Sequence, residues 1–162
     1  MSTLPPHLDY DGFVKAAPAA HAALLALGKT VDESGLEKSL IEIVKLRVSQ
    51  INGCAFCVQI HINIARKIGV PQEKLDLVAV WRDAGIFSDR EMAALTWAEM
   101  LTNVSHKPIS DAAYSALLPH FSATEILFLA VAIGTINHWN RLGTAFHFAP
   151  PILKKPAATD AT

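Results

Sequence analysis

The chain's only two cysteines, Cys54 and Cys57, stand directly after Asn52-Gly53, a pair that cannot easily carry a helix onward. Glycine tolerates the backbone angles that end one helix and open the next. Upstream, residues 35–50 place Leu36, Leu40, Ile43, Val44 and Val48 on one helical face. Downstream, residues 58–68 have helical composition and close at Gly69-Val70-Pro71. The pattern predicts two helices meeting at a glycine-broken corner, with both thiols in the first turn of the second.

That placement has chemical consequences. At about 100° per residue, Cys54, Cys57 and His61 fall within an arc of about 60° on one helix face. Sulfurs so spaced can pair, and the free N–H groups and positive dipole end of a helix start favour thiolate over thiol. His61, one turn beyond Cys57, can donate to a thiolate or take its proton. Glu42 precedes Cys54 by twelve residues, and folding back at the corner can bring it over the thiols. Partial burial there would raise its carboxyl pKa and let it accept a thiol proton, through water or His61.

The remaining chain reads as helices too. Residues 11–27 are Ala/Leu-rich, with Pro18 either near a helix start or breaking the segment. Residues 28–34 read as a connector carrying capping residues, and Pro71 suits the first turn of a helix over 72–84 stopped by Gly85. Ser88 to Glu91 and Ser122 to Glu125 are capping boxes, opening helices over 92–104 and 126–146. Between them Ser110 or Asp111 can cap a short helix ending near Leu118-Pro119. No sustained alternating segment or Asn-Gly hairpin marks a strand. The expectation is an all-α, compact bundle of about seven helices. It divides into an N-terminal segment (1–17), one helical domain (18–148) and a loose tail (149–162).

Composition narrows the partners. The chain is 51% hydrophobic and 18% charged, with a formal net charge of −1. No basic run is present, which argues against nucleic acid and anionic membranes as partners. The longest apolar run, residues 126–133, is far short of the roughly 18 residues of a membrane span. The N-terminus lacks a basic segment followed by an apolar one, so the expectation is no signal peptide and a cytoplasmic location. In that compartment a lone Cys-x-x-Cys points to redox activity or metal binding rather than a structural staple. The apolar balance also hints at surface buried between subunits.

Glu42, eleven intervening residues, Cys54-x-x-Cys57 and then His61 resemble the core motif of the alkylhydroperoxidase D-like branch of the carboxymuconolactone decarboxylase family. The resemblance extends through Ala65-Arg66, Trp81-Arg82, Phe87-Ser-Asp-Arg-Glu91 and Trp139-Asn-Arg141, covering about residues 18–148. It implies an all-helical fold assembling as a homo-trimer or homo-hexamer. It further implies a thiol-dependent peroxidase that reduces a small hydroperoxide and is restored by an external dithiol, with no cofactor. Carried over, Cys57 is the peroxidatic cysteine, Cys54 the resolving one, and Glu42 and His61 a proton relay. One departure stands out: some relatives carry a histidine immediately before the second cysteine, where this chain has Phe56. Helix-start electrostatics alone would instead favour Cys54 as the nucleophile, being nearest the dipole's positive end.

Other readings stay open at this level. The thiols can be inert and buried, or Cys54, Cys57 and His61 can ligate zinc with Glu42 or His138 as the fourth group. A redox-sensing helical oligomer and a lactone decarboxylase-like lyase are the competing functions, although the lyase branch lacks the cysteine pair. The run Asn137-His138-Trp139-Asn140-Arg141 reads as a buried hydrogen-bond network or subunit contact, with pocket lining as the alternative. Trp81, Trp97 and Trp139 read as core or interface, and His7, His21, His106, His120 and His147 as structural or exposed.

Overall fold

A computed structural model describes residues 7–152. Of the expected loose tail, residues 153–162 lie outside the described residues. Among those described, nine α-helices and one 3-10 turn occur and no strand. The helices are α1 (Tyr10–Ala16), α2 (Pro18–Asp32), α3 (Lys38–Ile51), α4 (Ala55–Lys67), α5 (Gln72–Leu77), α6 (Trp81–Ala84), α7 (Asp89–Thr102), α8 (Asp111–Ser115) and α9 (Ala123–Ala145).

Local chemistry explains most boundaries. Pro18 breaks the first segment because the residue before a proline is driven out of the helical region, and Ala17 sits at φ −136° and ψ 58°. Pro18 then occupies the first turn of α2, where its missing N–H costs nothing. Both capping boxes form as the sequence predicts. Ser88 Oγ accepts from the Glu91 backbone N–H and Glu91 accepts from that of Ser88, and Ser122 and Glu125 repeat the exchange at α9. Ser110, rather than Asp111, caps α8.

Two expectations need correction. The connector placed over 28–34 is mostly helix, because α2 runs through Gly28 to Asp32. A lone glycine costs a helix only about 1 kcal/mol relative to alanine, too little to stop a run flanked by good helix formers. The single helix expected over 72–84 instead breaks into α5, the 3-10 turn Val78–Val80 and α6. That run includes the β-branched pair Val78 and Val80, which hold a helix less well.

Helix α3 lies at the centre and packs against α4, α7 and α9. It is buried on almost every side, so its apolar residues are not confined to one stripe: Ile41 and Leu46 are buried along with Leu40, Ile43, Val44 and Val48. Two apolar clusters result. Leu36, Leu40, Ile41, Val44 and Val48 join residues of α9, α7 and the cysteine turn. Ile43 and Leu46 join Ala65, Val70, Leu75, Val78, Trp81, Phe87 and Leu95. Helix α1 closes over the first cluster through buried Phe13.

Candidate active site

The corner between α3 and α4 is built by hydrogen bonds that only a glycine accommodates easily. Gly53 sits at φ +67°, in the left-handed region. Its N–H donates to Gln50 O (3.2 Å) and that of Cys54 to Ser49 O (3.0 Å), the paired closure of a Schellman helix end. Cys54 thereby becomes the N-cap of α4, and its Sγ accepts from the Cys57 backbone N–H at 3.2 Å. Cys54 and Cys57 are joined as a disulfide with their Cα atoms 5.3 Å apart. Both are almost wholly buried, at 2% and 3% exposure.

Glu42 and His61 meet across the α3–α4 corner. His61 Nδ1 lies 2.7 Å from Glu42 Oε2, and both residues are buried. The other carboxylate oxygen, Oε1, accepts from Lys45 Nζ at 3.2 Å. The expected rise in the Glu42 pKa is overturned. Burial does push the carboxyl upward, but the bond and charge of His61 and the charge of Lys45 together outweigh it, so its pKa falls below the ordinary value. An ionised Glu42 accepts, so His61 donates through Nδ1–H and keeps Nε2 for a second partner.

A pocket of about 350 Å³ opens beside these groups. Cys57, His61 and Lys45 line it; Cys54 does not. Most of its remaining wall is apolar, with Leu24 and Leu25 from α2, Ile60 from α4, Ile136 and Trp139 from α9 and Tyr10 from α1, while Lys29, Asp32 and Thr135 add polar groups. Gly28 lines the α2 side as bare backbone.

Both sulfurs pack against α9 at Gly143, Cys54 the more closely. A Cβ added at Gly143 would sit 2.7 Å from Cys54 Sγ and 3.4 Å from Cys57 Sγ. Real carbon atoms do not approach sulfur that closely, so no side chain fits there without moving the helix or the disulfide. A polar network holds the two elements in this register. Asn52 Nδ2 donates to Asn137 Oδ1 (2.9 Å) and Asn140 Oδ1 (2.8 Å), and Asn140 Nδ2 donates to Ser49 Oγ (3.0 Å). Asn140 is fully buried. The 137–141 run thus supplies a hydrogen-bond network and, through Trp139, pocket lining as well, while His138 is exposed.

Phe56 has a structural partner set. Its ring packs on Tyr10 (5.4 Å between centroids) and Phe148 (5.3 Å), in a cluster that continues through Phe13 to Trp139. Tyr10 is fixed in turn by a 2.8 Å hydrogen bond between its hydroxyl and His21 Nε2. At this position a phenylalanine anchors α1 over the cysteine turn. Among the described residues, no three His, Cys, Asp or Glu side chains gather into a metal-binding group.

Sequence reasoning singled out Cys54, Cys57, His61 and Glu42, and the structure brings all four to one corner. It missed Lys45, Gly143 and Tyr10. Lys45 had a local signal, three residues from an acid on a helix. Gly143 and Tyr10 had none, because their contacts come from distant parts of the chain.

A helical bundle with a cysteine pair at a glycine corner and a buried Glu–His pair beside it defines a class of small α-helical thiol proteins. The chain belongs to the carboxymuconolactone decarboxylase family, whose profile matches residues 18–100, and within it to the alkylhydroperoxidase D-like group. The uncharacterized Bacillus subtilis protein YdfG is 31% identical over 133 residues, covering 82% of this chain and 90% of YdfG. A solved Agrobacterium tumefaciens structure, of a protein of unknown function that carries the name of the antioxidant defence protein AhpD, superposes with a TM-score of 0.86 at 38% identity, covering 92% of this chain and all of that one. A peroxidase-related protein with an alkylhydroperoxidase AhpD core from Ralstonia eutropha gives 0.75 at 26% identity, covering 86% and 74% respectively. No helix among the described residues is long and apolar enough to cross a membrane.

Proposed function

We propose that the protein is a thiol-dependent peroxidase whose Cys54–Cys57 pair cycles between dithiol and disulfide, and that it works as a homo-oligomer. The observation that carries this reading is the asymmetry of the pair. Cys57 shares a pocket with His61, while Cys54 lies against α9 with its Sγ on a backbone N–H. On this reading the two thiols take different tasks: Cys57 attacks, as the family resemblance implies, and the helix start stabilises Cys54.

In the reduced protein His61 Nε2 takes the Cys57 proton, with Glu42 holding the resulting imidazolium. The Cys57 thiolate attacks the distal oxygen of a hydroperoxide, the O–O bond breaks, and the alkoxide leaves as alcohol with the imidazolium proton. Cys57 is then a sulfenic acid. Cys54, kept as thiolate by the Cys57 N–H, attacks that sulfur; the S–O bond breaks, and the hydroxide leaves as water with a proton taken from solvent, forming the disulfide. Reduction reverses the roles. An external thiolate attacks Cys57 from the pocket, the S–S bond breaks, and Cys54 leaves as the stabilised thiolate. A second thiol from the reductant then releases Cys57.

The test is peroxide consumption with dithiothreitol as reductant, together with mass analysis of the peroxide-treated protein for loss of two hydrogens between Cys54 and Cys57. Cys54→Ser and Cys57→Ser should each abolish multiple turnover, and only Cys57→Ser should lose the initial sulfenic step. Full turnover by either variant would refute the scheme. Disulfide formation without turnover by the unaltered protein would favour a redox sensor.

A further inference from the structure

We propose that Lys45 is a positioning residue of the thiol relay: by holding the Glu42 oxygen that His61 leaves free, it keeps the carboxylate ionised, so that His61 retains its Nδ1 proton and offers a bare Nε2 as base. The inference rests on Cys57 being the pocket-side nucleophile.

The geometry divides Glu42 between two donors. Oε2 faces His61 Nδ1 at 2.7 Å, and Oε1 faces Lys45 Nζ at 3.2 Å. A carboxylate so held cannot rotate without losing both bonds. The protonation state of Glu42 decides which imidazole nitrogen can act. An ionised carboxylate accepts from Nδ1–H and leaves the Nε2 lone pair free. A protonated one can donate to Nδ1 instead, which moves the ring's only proton to Nε2 and leaves the thiol without a base.

Lys45 is suited to enforce the first arrangement. It is one of two lysines lining the pocket, and the other, Lys29 on α2, is exposed and paired with Glu33 at 3.5 Å. Lys45 is only 16% exposed in its side chain, so water screens its charge poorly. The remaining titratable groups facing the site are few. Asp32 from α2 is exposed at the pocket wall, and Tyr10 approaches from α1. The α9 residues that line the pocket, Ala132, Thr135, Ile136 and Trp139, carry no charge. The lowered pKa of Glu42 agrees with this role, with Lys45 reinforcing the larger effect of His61.

The test reads the pH dependence of iodoacetamide alkylation in the reduced full-length chain. A Cys54→Ser background makes Cys57 the thiol reporting. Lys45→Met, similar in length but uncharged, should raise the midpoint by about one pH unit, slowing alkylation about tenfold on its acid side. Lys45→Arg should stay within a few tenths of a unit of the parent. With Glu42→Gln also present, Lys45→Met should shift nothing further. An unmoved midpoint in the Glu42 background, or an equal shift with Glu42→Gln, overturns the proposal. In the unaltered sequence, nitrogen NMR of His61 should show a protonated Nδ1 and a bare Nε2 in the neutral ring, and the opposite tautomer overturns it equally. Peroxide turnover is measured separately, so its absence would sink the peroxidase reading while the alkylation midpoints still judge this one.

Discussion

The two faces of α3 look onto unlike interiors. Towards α5, α6 and α7, Ile43 and Leu46 meet Ala65, Val78, Trp81 and Leu95 in an apolar cluster. Its polar companions sit at the edge: Glu99 accepts from Arg47 Nε (2.8 Å) and Trp81 Nε1 (3.0 Å) and pairs with Arg82 (2.6 Å). Towards α9, buried polar groups penetrate the interior itself. Ser49, Asn137 and Asn140 lie among apolar neighbours, the disulfide packs on bare glycine, and a pocket reaches Cys57. Buried polar groups cost stability unless every partner is supplied, so they concentrate where a thiol has to be held in one place. One half of the molecule is organised for cohesion, the other for aim.

Substitutions on either side should separate these tasks. The largest effect is expected at His61→Ala, which should slow peroxide reduction by about 10²- to 10⁴-fold, measured as single-turnover oxidation, with the urea midpoint changed far less. On the other face Leu46→Ala should remove about 2–5 kcal/mol of stability in urea titrations while leaving Cys57 alkylation rates alone. If Leu46→Ala instead altered thiol reactivity, the two faces would not be separate in function. Gly143→Ala is expected to cost about 1–3 kcal/mol, seen as a lower melting temperature of the oxidised protein, because its Cβ overlaps Cys54 Sγ.

The smallest effect concerns acid. Glu99 resembles Glu42: burial raises its pKa, but hydrogen bonds from Trp81, Arg82 and Arg47 lower it further than burial lifts it. For both, the folded pKa lies below the unfolded one. The stability they confer is complete above the ordinary carboxyl value of about 4.3 and is lost as pH falls through their folded values. Urea midpoints taken from pH 5 to pH 3 should therefore fall less steeply for Glu42→Gln and Glu99→Gln than for the parent protein. Only the Glu42 variant should also change Cys57 reactivity.

Much of this organisation was legible in the residues, where the signal was local. Ser88 and Glu91, Ser122 and Glu125, Pro18 and Gly53 each act within four residues of themselves, and each behaves as its chemistry dictates. Cys54, Cys57 and His61 were legible through their spacing on one helix face, whereas Glu42 stood apart from an ordinary helix acid only through the family resemblance. What escaped was tertiary. Gly28 looks like a stop until neighbouring turns carry the helix through it. Gly143 looks like any glycine in a helix until Cys54 arrives from 89 positions earlier (143 less 54). The Glu42 pKa was misjudged because burial is readable from an apolar neighbourhood, whereas a competing Lys45 and His61 must first be placed.

The family-matched stretch, residues 18–100, contains Glu42, Lys45, Cys54, Cys57 and His61. Tyr10, Ile136, Trp139 and Gly143 fall outside it, yet they mould the cavity and back the sulfurs. Part of the cavity wall is thus encoded outside the stretch that carries the cysteines, while Leu24, Leu25 and Ile60 complete it from within. Exchanging Thr135, Ile136 or Trp139 therefore changes the shape of the pocket while Glu42, Lys45, Cys54, Cys57 and His61 stay as they are.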